Sequence, residues 1–211
     1  MRAAGARLLV ARAVVAVLVA LSLGGCSSGD DRPTPPSGGQ PAPAPARRFS
    51  VTSFDLFGPV ASLPEAVEQT RVAVTSTLDA YLQRAVFQPL DTSGPAGDLA
   101  PVFTAAAATR LSGRDRAVLV DEGLAVDGGT AKLDSAVVAM HALSGADGRP
   151  SVVNANVDFK VLAGTSDLPV TIARRGDLVL VEEAGSWRID SYDVVVGRST
   201  PSGTTTSVAA N

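Results

Sequence analysis

The chain is poor in the residues that most often carry chemistry. Its 211 residues hold one cysteine, Cys26, and one histidine, His141. A single cysteine forbids an intramolecular disulfide. The same scarcity excludes a zinc site built from several His and Cys ligands. A carboxylate-only calcium site would need a loop of the D-x-[DN]-x-[DN]-G kind, and none occurs. G-x-S-x-G, P-loop, G-x-G-x-x-G and S-x-x-K patterns are also missing, so no cofactor is implied and hydrolase, kinase and redox readings have no starting point. Positive charge is scarce too. Residues 49–198 carry 12 basic against 19 acidic side chains, and the longest basic clusters are the pairs Arg47-Arg48 and Arg174-Arg175. Nucleic-acid binding needs a cationic surface that releases counterions, so it is disfavoured. No apolar run is long enough to span a bilayer. The longest, residues 13–23 (AVVAVLVALSL), reaches about 16 Å as a helix against a hydrocarbon core of about 30 Å.

That run is informative in another way. Arg2, Arg7 and Arg12 precede it and no acidic residue occurs before Asp30. A positive segment followed by a short apolar one reads as a secretory signal, residues 1–25. The sequence Leu23-Gly24-Gly25-Cys26 follows. It resembles the lipobox of bacterial lipoproteins at every motif position. The resemblance implies cleavage before Cys26, acylation of its thiol (palmitate is a typical chain) and a place on the outer face of the cytoplasmic membrane. Each buried CH₂ contributes about 0.8 kcal/mol, so two or three acyl chains on one residue anchor stably.

Composition divides the rest. Residues 26–48 hold the lone cysteine, six prolines, three glycines and no large apolar side chain, which predicts an extended tether. Residues 199–211 (STPSGTTTSVAAN) have no charge and no periodicity, which predicts a disordered tail. Between them, residues 49–198 form one domain of about 150 residues, enough for its own core.

Within this domain Ser62-Leu63-Pro64-Glu65 matches a capping box. Val67, Val74, Leu78, Tyr81, Leu82 and Ala85 then share one helical stripe, predicting an amphipathic helix that ends near Phe87-Gln88-Pro89. Asp98 is placed to cap a second helix with Leu99, Val102, Phe103, Ala106, Ala107 and Leu111 inward. Residues 114–122 predict a short third helix, with Gly123 at its C′ position. After Asp127-Gly128-Gly129 the period changes to two. Residues 131–143 form a strand, Asp147-Gly148 a hairpin turn, and Val153 to Val161 alternate with Asn154, Asn156, Asp158 and Lys160. Residues 170–183 form a strand bent by a bulge at Arg175-Gly176, and residues 187–196 a closing one. Helices followed by an antiparallel meander define an α+β class.

The order of two or three N-terminal helices, long strands and a closing Gly185-Ser186-Trp187-Arg188-Ile189-Asp190-Ser191-Tyr192 resembles NTF2-like (SnoaL-like) domains. It is also similar to the soluble part of Mce-associated proteins of high-GC Gram-positives. The resemblance implies two or three helices packed on a curved antiparallel four-to-five-stranded sheet, a cone with a pocket. Residues 49–62, with Val51, Phe54, Leu56 and Phe57, would add an N-terminal strand or strap.

No catalytic motif of that family is recognisable. The side chains to inspect are Asp193, Tyr192 and His141. His141 ends a strand on the Val137 and Ala139 side, where a general base or a solvent-facing imidazole are both open readings. Asp193 falls on the Trp187 and Ile189 face unless a bulge intervenes, which would bury a carboxylate. Asp158 should face solvent and Tyr81 the core. The expected function is a lipid-anchored, non-catalytic binding or scaffolding module of the cell envelope. A carrier of an apolar ligand in the cone and a small-molecule lyase or isomerase are the alternatives. Partners would be the membrane through acylated Cys26, an envelope protein or small apolar ligand, and, through the apolar sheet face, a second copy.

Overall fold

In a computed structural model, residues 46–58, 63–124, 131–201 and 205–210 are described. Cys26, the apolar run, most of the tether, Ser62 and Asp127-Gly128-Gly129 lie outside them. The described elements run β1 (Ser50–Phe57), α1 (Pro64–Tyr81), a π-helical stretch (Leu82–Phe87), α2 (Gln88–Thr92), α3 (Ala105–Arg110), α4 (Gly113–Leu119), β2 (Lys132–Ser144), β3 (Pro150–Gly164), β4 (Pro169–Glu183), β5 (Ser186–Ser199) and β6 (Thr205–Ala210). The class is α+β, with one six-stranded sheet in the order β1-β2-β3-β4-β5-β6.

Alternation builds the sheet. On β3, Val153, Ala155, Val157, Phe159 and Val161 are buried, and Asn154, Asn156, Asp158 and Lys160 face the other way. The same parity on β2 buries Ala136, Val138, Met140 and Ala142. The helices pack against this inner face. Val74, Leu78 and Tyr81 of α1 meet it, and Tyr81 stands edge-on to Phe103 and Phe159 at 6.1 and 6.4 Å. Phe49 closes the cluster against Phe159 at 5.6 Å. Burying a side chain such as Phe159 contributes about 2–3 kcal/mol by area removed from water.

The expected antiparallel sheet of four to five strands is corrected to a mixed sheet of six. β1 pairs with β2 in parallel, from Ser50 beside Val137 to Phe57 beside Leu143. Two or three helices become four among the described residues, with a π-helical stretch inside the first helical run. A proline follows that stretch closely. Pro89 has no N–H to give, and the Arg84 carbonyl, five residues back, accepts instead from Gly97 N at 3.0 Å. The wider turn lets Leu82, Ala85, Val86 and Phe87 all be buried.

Helix boundaries also differ from expectation. Leu63 holds the N-cap position of α1 without a side-chain bond, and Pro64 opens the first turn. Asp98 caps no helix, and Ala106, expected to face inward, is exposed while Ala107 is buried. The Asp98 carboxylate accepts from Ala100 N, whereas Thr104 Oγ1 caps α3 by accepting from Ala107 N at 3.2 Å. The short helix near residue 114 is α4, but Val120 is its C-cap and Gly123 lies further on. The tail is not structureless throughout. Residues 205–210 pair antiparallel with β5, from Thr205 beside Ser199 to Ala210 beside Val194.

The bulge sits elsewhere than expected. β4 runs through Arg175-Gly176 in unbroken register with β3. Gly176 instead permits a close approach. Its φ is +146°, and a Cβ there would lie 2.0 Å from the Asp193 carbonyl oxygen. The register shift falls between β4 and β5, where Ser191 pairs with Val179 and Ile189 with Leu180, leaving Asp190 as the extra residue.

Candidate functional site

The extra residue decides the fate of the sequence-derived candidates. Trp187 and Ile189 point inward, Asp190 is inserted, and the parity beyond it reverses. Tyr192 is therefore buried and Asp193 exposed, which corrects the expectation of a buried Asp193 carboxylate. His141 is exposed on the outer face, where its Nδ1 lies 3.4 Å from Asp55 Oδ2 and its ring 6.3 Å from that of Phe57. Tyr192 donates its hydroxyl to Asp115 Oδ2 at 3.0 Å. Burial, then the Asp115 carboxylate, push its ionisation up, with Arg110 opposing. A tyrosine so placed is a poor base. Asp190 accepts from Thr104 Oγ1 at 3.0 Å and its carbonyl from Arg110 at 2.6 Å, so it ties α3 to β5. Asp158 is half-exposed on the outer face and Tyr81 lies in the core, both as expected. Glu182 and Glu183 are exposed at the end of β4. Asp193, Tyr192 and His141 do not converge: Tyr192 projects inward, and the other two lie on the outer face, on strands β5 and β2.

What the fold does bring together is a buried charge network that sequence reading missed. Arg174 on β4 is fully buried. Its Nη1 donates to Asp121 Oδ2 at 2.5 Å and its Nε to the Val118 carbonyl at 2.6 Å. Arg198 on β5 donates to the other Asp121 oxygen at 3.1 Å. Asp121 itself is held by its own N–H, which donates to the Ala85 carbonyl at 3.0 Å. The π-helical stretch thus helps fix the acid that neutralises Arg174. Tyr81 donates its hydroxyl to the Leu119 carbonyl at 2.9 Å beside this pair. Burial works against the Arg174 cation, but the Asp121 carboxylate outweighs it and holds its pKa above the ordinary arginine value. Burial pushes Tyr81 up to about 12, with Arg174 opposing and Asp121 adding to the rise.

A signal for Arg174 was present. Ile172, Arg174, Leu178 and Leu180 share one parity, which places Arg174 inward on a straight strand. The expected bulge at Arg175-Gly176 obscured it. Asp121 had no such signal, because it follows α4 in irregular chain.

An open cleft of about 470 Å³ adjoins the network, lined in part by Arg116, Val120, Asp121, Glu122, Leu124 and Arg198. Its charges are engaged from within. Arg116 donates to both Glu122 oxygens at 3.0 and 2.6 Å, and Glu122 also accepts from Ala96 N at 2.8 Å. The Arg116 bonds, then the Ala96 N–H, hold the Glu122 carboxyl below its ordinary range. Both acids lining the cleft, Asp121 and Glu122, already accept hydrogen bonds from within the chain, so neither stands free there as a general base. Among the described residues no group of three or more His, Cys, Asp or Glu side chains could hold a metal ion.

Comparisons with protein-family models, with curated proteins and with solved structures each found no match to this chain.

Proposed function

We propose that this chain is an exported lipoprotein, held on the outer face of the cytoplasmic membrane by acylated Cys26. Its folded domain serves as a non-catalytic binding or scaffolding module of the cell envelope. The observation that carries the reading is Leu23-Gly24-Gly25-Cys26, placed directly after a positively charged segment and a short apolar run. Two or three acyl chains, at about 0.8 kcal/mol per buried CH₂, supply the anchor. The proline-rich residues that follow separate it from the domain.

An NTF2-like domain is part of the same proposal. Helices packed on one face of the β2–β5 meander support it, with β1 and β6 as additions at the two edges. The scaffold reading is favoured over a carrier of an apolar ligand because side chains occupy the space between helices and sheet. Tyr81, Phe103, Phe159 and Arg174 are all fully buried there. The lyase or isomerase alternative has no site built from Asp193, Tyr192 and His141, which lie apart.

Intact mass measurement of the full chain purified from membranes tests the anchor. The expected species begins at Cys26 and carries the added mass of at least two acyl chains. A mature chain with an unmodified Cys26 would refute it.

A further inference from the structure

We infer that the β3–β4 hairpin is a second contact with the membrane, set into the lipid headgroup region by Leu162 and Leu168. The inference rests on the acylated anchor proposed above and deepens it, because it names the end of the domain that meets the bilayer. It begins from where the chain enters the fold. Arg47 Nη2 donates to the Ala131 carbonyl at 2.7 Å, one residue before β2 begins. Lys132 at the start of β2 lies opposite Leu162 near the end of β3, and Gly164 lies opposite Pro169 at the start of β4. The entry point and the β3–β4 hairpin therefore share one end of the sheet. Twenty residues separate Cys26 from Arg47. Fully extended, they reach at most about 70 Å. A contact too weak to hold a free protein then suffices, because a tether of this order gives it an effective concentration of roughly millimolar.

The hairpin is built to hold an apolar side chain outward. Leu168 is 67% exposed, the highest value among the described large hydrophobic residues, and Leu162 is 43% exposed. The turn around Leu168 is fixed. Its N–H is shared by the Thr165 carbonyl and Thr165 Oγ1, both at 3.1 Å. Gly164 has a φ of +86°, and a Cβ there would lie 2.3 Å from the Leu168 carbonyl oxygen, so the turn closes tightly on a glycine. Folding buries little of Leu168, and a lipid surface would take the rest out of water.

Charge then sets the orientation. The chain has only two lysines, and both flank Leu162. Lys132 is its cross-strand partner and Lys160 lies two residues before it, with all three exposed. Lysine carries its cation on a flexible stem, which reaches lipid phosphates while a neighbouring leucine sinks below them. Asp134 and Asp167 stand at this end and offset the two lysines, so the leucines supply the attraction. The opposite end is acidic. Asp147 lies in the β2–β3 turn, Glu182 and Glu183 end β4, and Glu65 begins α1, against Arg149 and Arg188. Ala66 shares a cleft with Arg149 and Glu182, which places the start of α1 there. That end also exposes Leu63, Phe57 and Leu143, but anionic lipid repels the acids around them.

Fluorescence quenching on the full chain tests the contact, after purification from membranes and reconstitution into vesicles of phosphatidylglycerol and phosphatidylcholine that contain a nitroxide lipid. Once Cys26 is acylated, Leu168→Cys supplies the one free thiol for a fluorophore. Quenching should be at least about twofold at Leu168→Cys and at Leu162→Cys, against less than about 1.2-fold at Leu63→Cys, because it needs approach to headgroup depth. Adding Lys132→Glu/Lys160→Glu should cut the quenching at Leu168→Cys by about half or more. Circular dichroism checks that each variant folds. A chain that floats with the vesicles but leaves the Leu168→Cys label unquenched would overturn this contact and spare the anchor. Stronger quenching at Leu63→Cys, or no effect of the two charge reversals, would overturn it as well. A chain that does not float would overturn the anchor and this contact together, so the two failures are told apart.

Discussion

Arg174 Nη1 meets Asp121 Oδ2 at 2.5 Å with both side chains almost fully excluded from water. Arg198 holds the second oxygen at 3.1 Å with its own side chain one-third exposed. A buried guanidinium is tolerable only while its acid is present. Asp121→Ala should therefore destabilise the domain by about 3–5 kcal/mol, because it strands a charge in the core. Removing both charges, as Asp121→Ala/Arg174→Met, should cost less than Asp121→Ala alone. Urea unfolding of the three proteins checks the order. If the double variant is the least stable, the pair is not an isolated charge couple.

Tyr81 yields a prediction on the alkaline side. Its pKa is pushed up to about 12 from 10.0, chiefly by burial. Below pH 10 both folded and unfolded chains keep the proton, and the stabilisation is fully present. Between these two values the unfolded chain ionises first, so stability falls as pH rises, by about 2–3 kcal/mol in total. Tyr81→Phe should lose about 1 kcal/mol at neutral pH through the missing bond to Leu119. Above about pH 10 it should lose stability less steeply than the native chain. Urea midpoints measured across that range compare the two slopes, and equal slopes would count against the buried environment of Tyr81.

At Gly176 the backbone of β5 comes close to that of β4. A Cβ there would meet the Asp193 carbonyl at 2.0 Å, and the φ of +146° disfavours any L side chain. Gly176→Ala should cost about 3 kcal/mol or more. Gly197 on the same pair of strands has nothing within 4 Å of such a Cβ. Gly197→Ala should stay within about 0.5 kcal/mol of native. Thermal unfolding of both variants measures the contrast.

The last strand is testable by deletion. β6 pairs with β5 over six residues, and Ala210 is buried at its end. Removing residues 200–211 uncovers the β5 edge beside Val194 and Val196. The shortened chain should lose about 1–3 kcal/mol and gain a tendency to associate through the bare edge. Denaturant unfolding and light scattering measure the two effects. No change in either would mean that β6 contributes nothing.

These residues also mark what could be read before the structure. β3 was legible because one face is buried and the other wet, so its alternation is uninterrupted from Val153 to Val161. Strand direction was not, because the parallel pairing of β1 depends on where a distant strand lies, not on Ser50–Phe57 itself. β6 was hidden for a similar reason: TTSVAA is small and uncharged, and it is a strand because β5 offers an unpaired edge. Among site candidates, parity set His141 on the side of Val137 and Ala139, which the structure turns outward, and placed Asp193 wrongly. One inserted residue, Asp190, reverses every side chain after it, and nothing in the composition of β5 announces it. Thr104 took the cap expected of Asp98 because its oxygen, not the aspartate's, sits one turn before a helix that packs through Ala107.

The central claim is that Cys26 holds this chain to a membrane, and it is tested by fractionating cells that make the native chain or Cys26→Ala after feeding labelled palmitate. The native chain should carry the label and sediment with membranes. Cys26→Ala should carry none, and any exported chain should be released by washing. A Cys26→Ala chain that remains membrane-bound, or a native chain without label, would contradict the account.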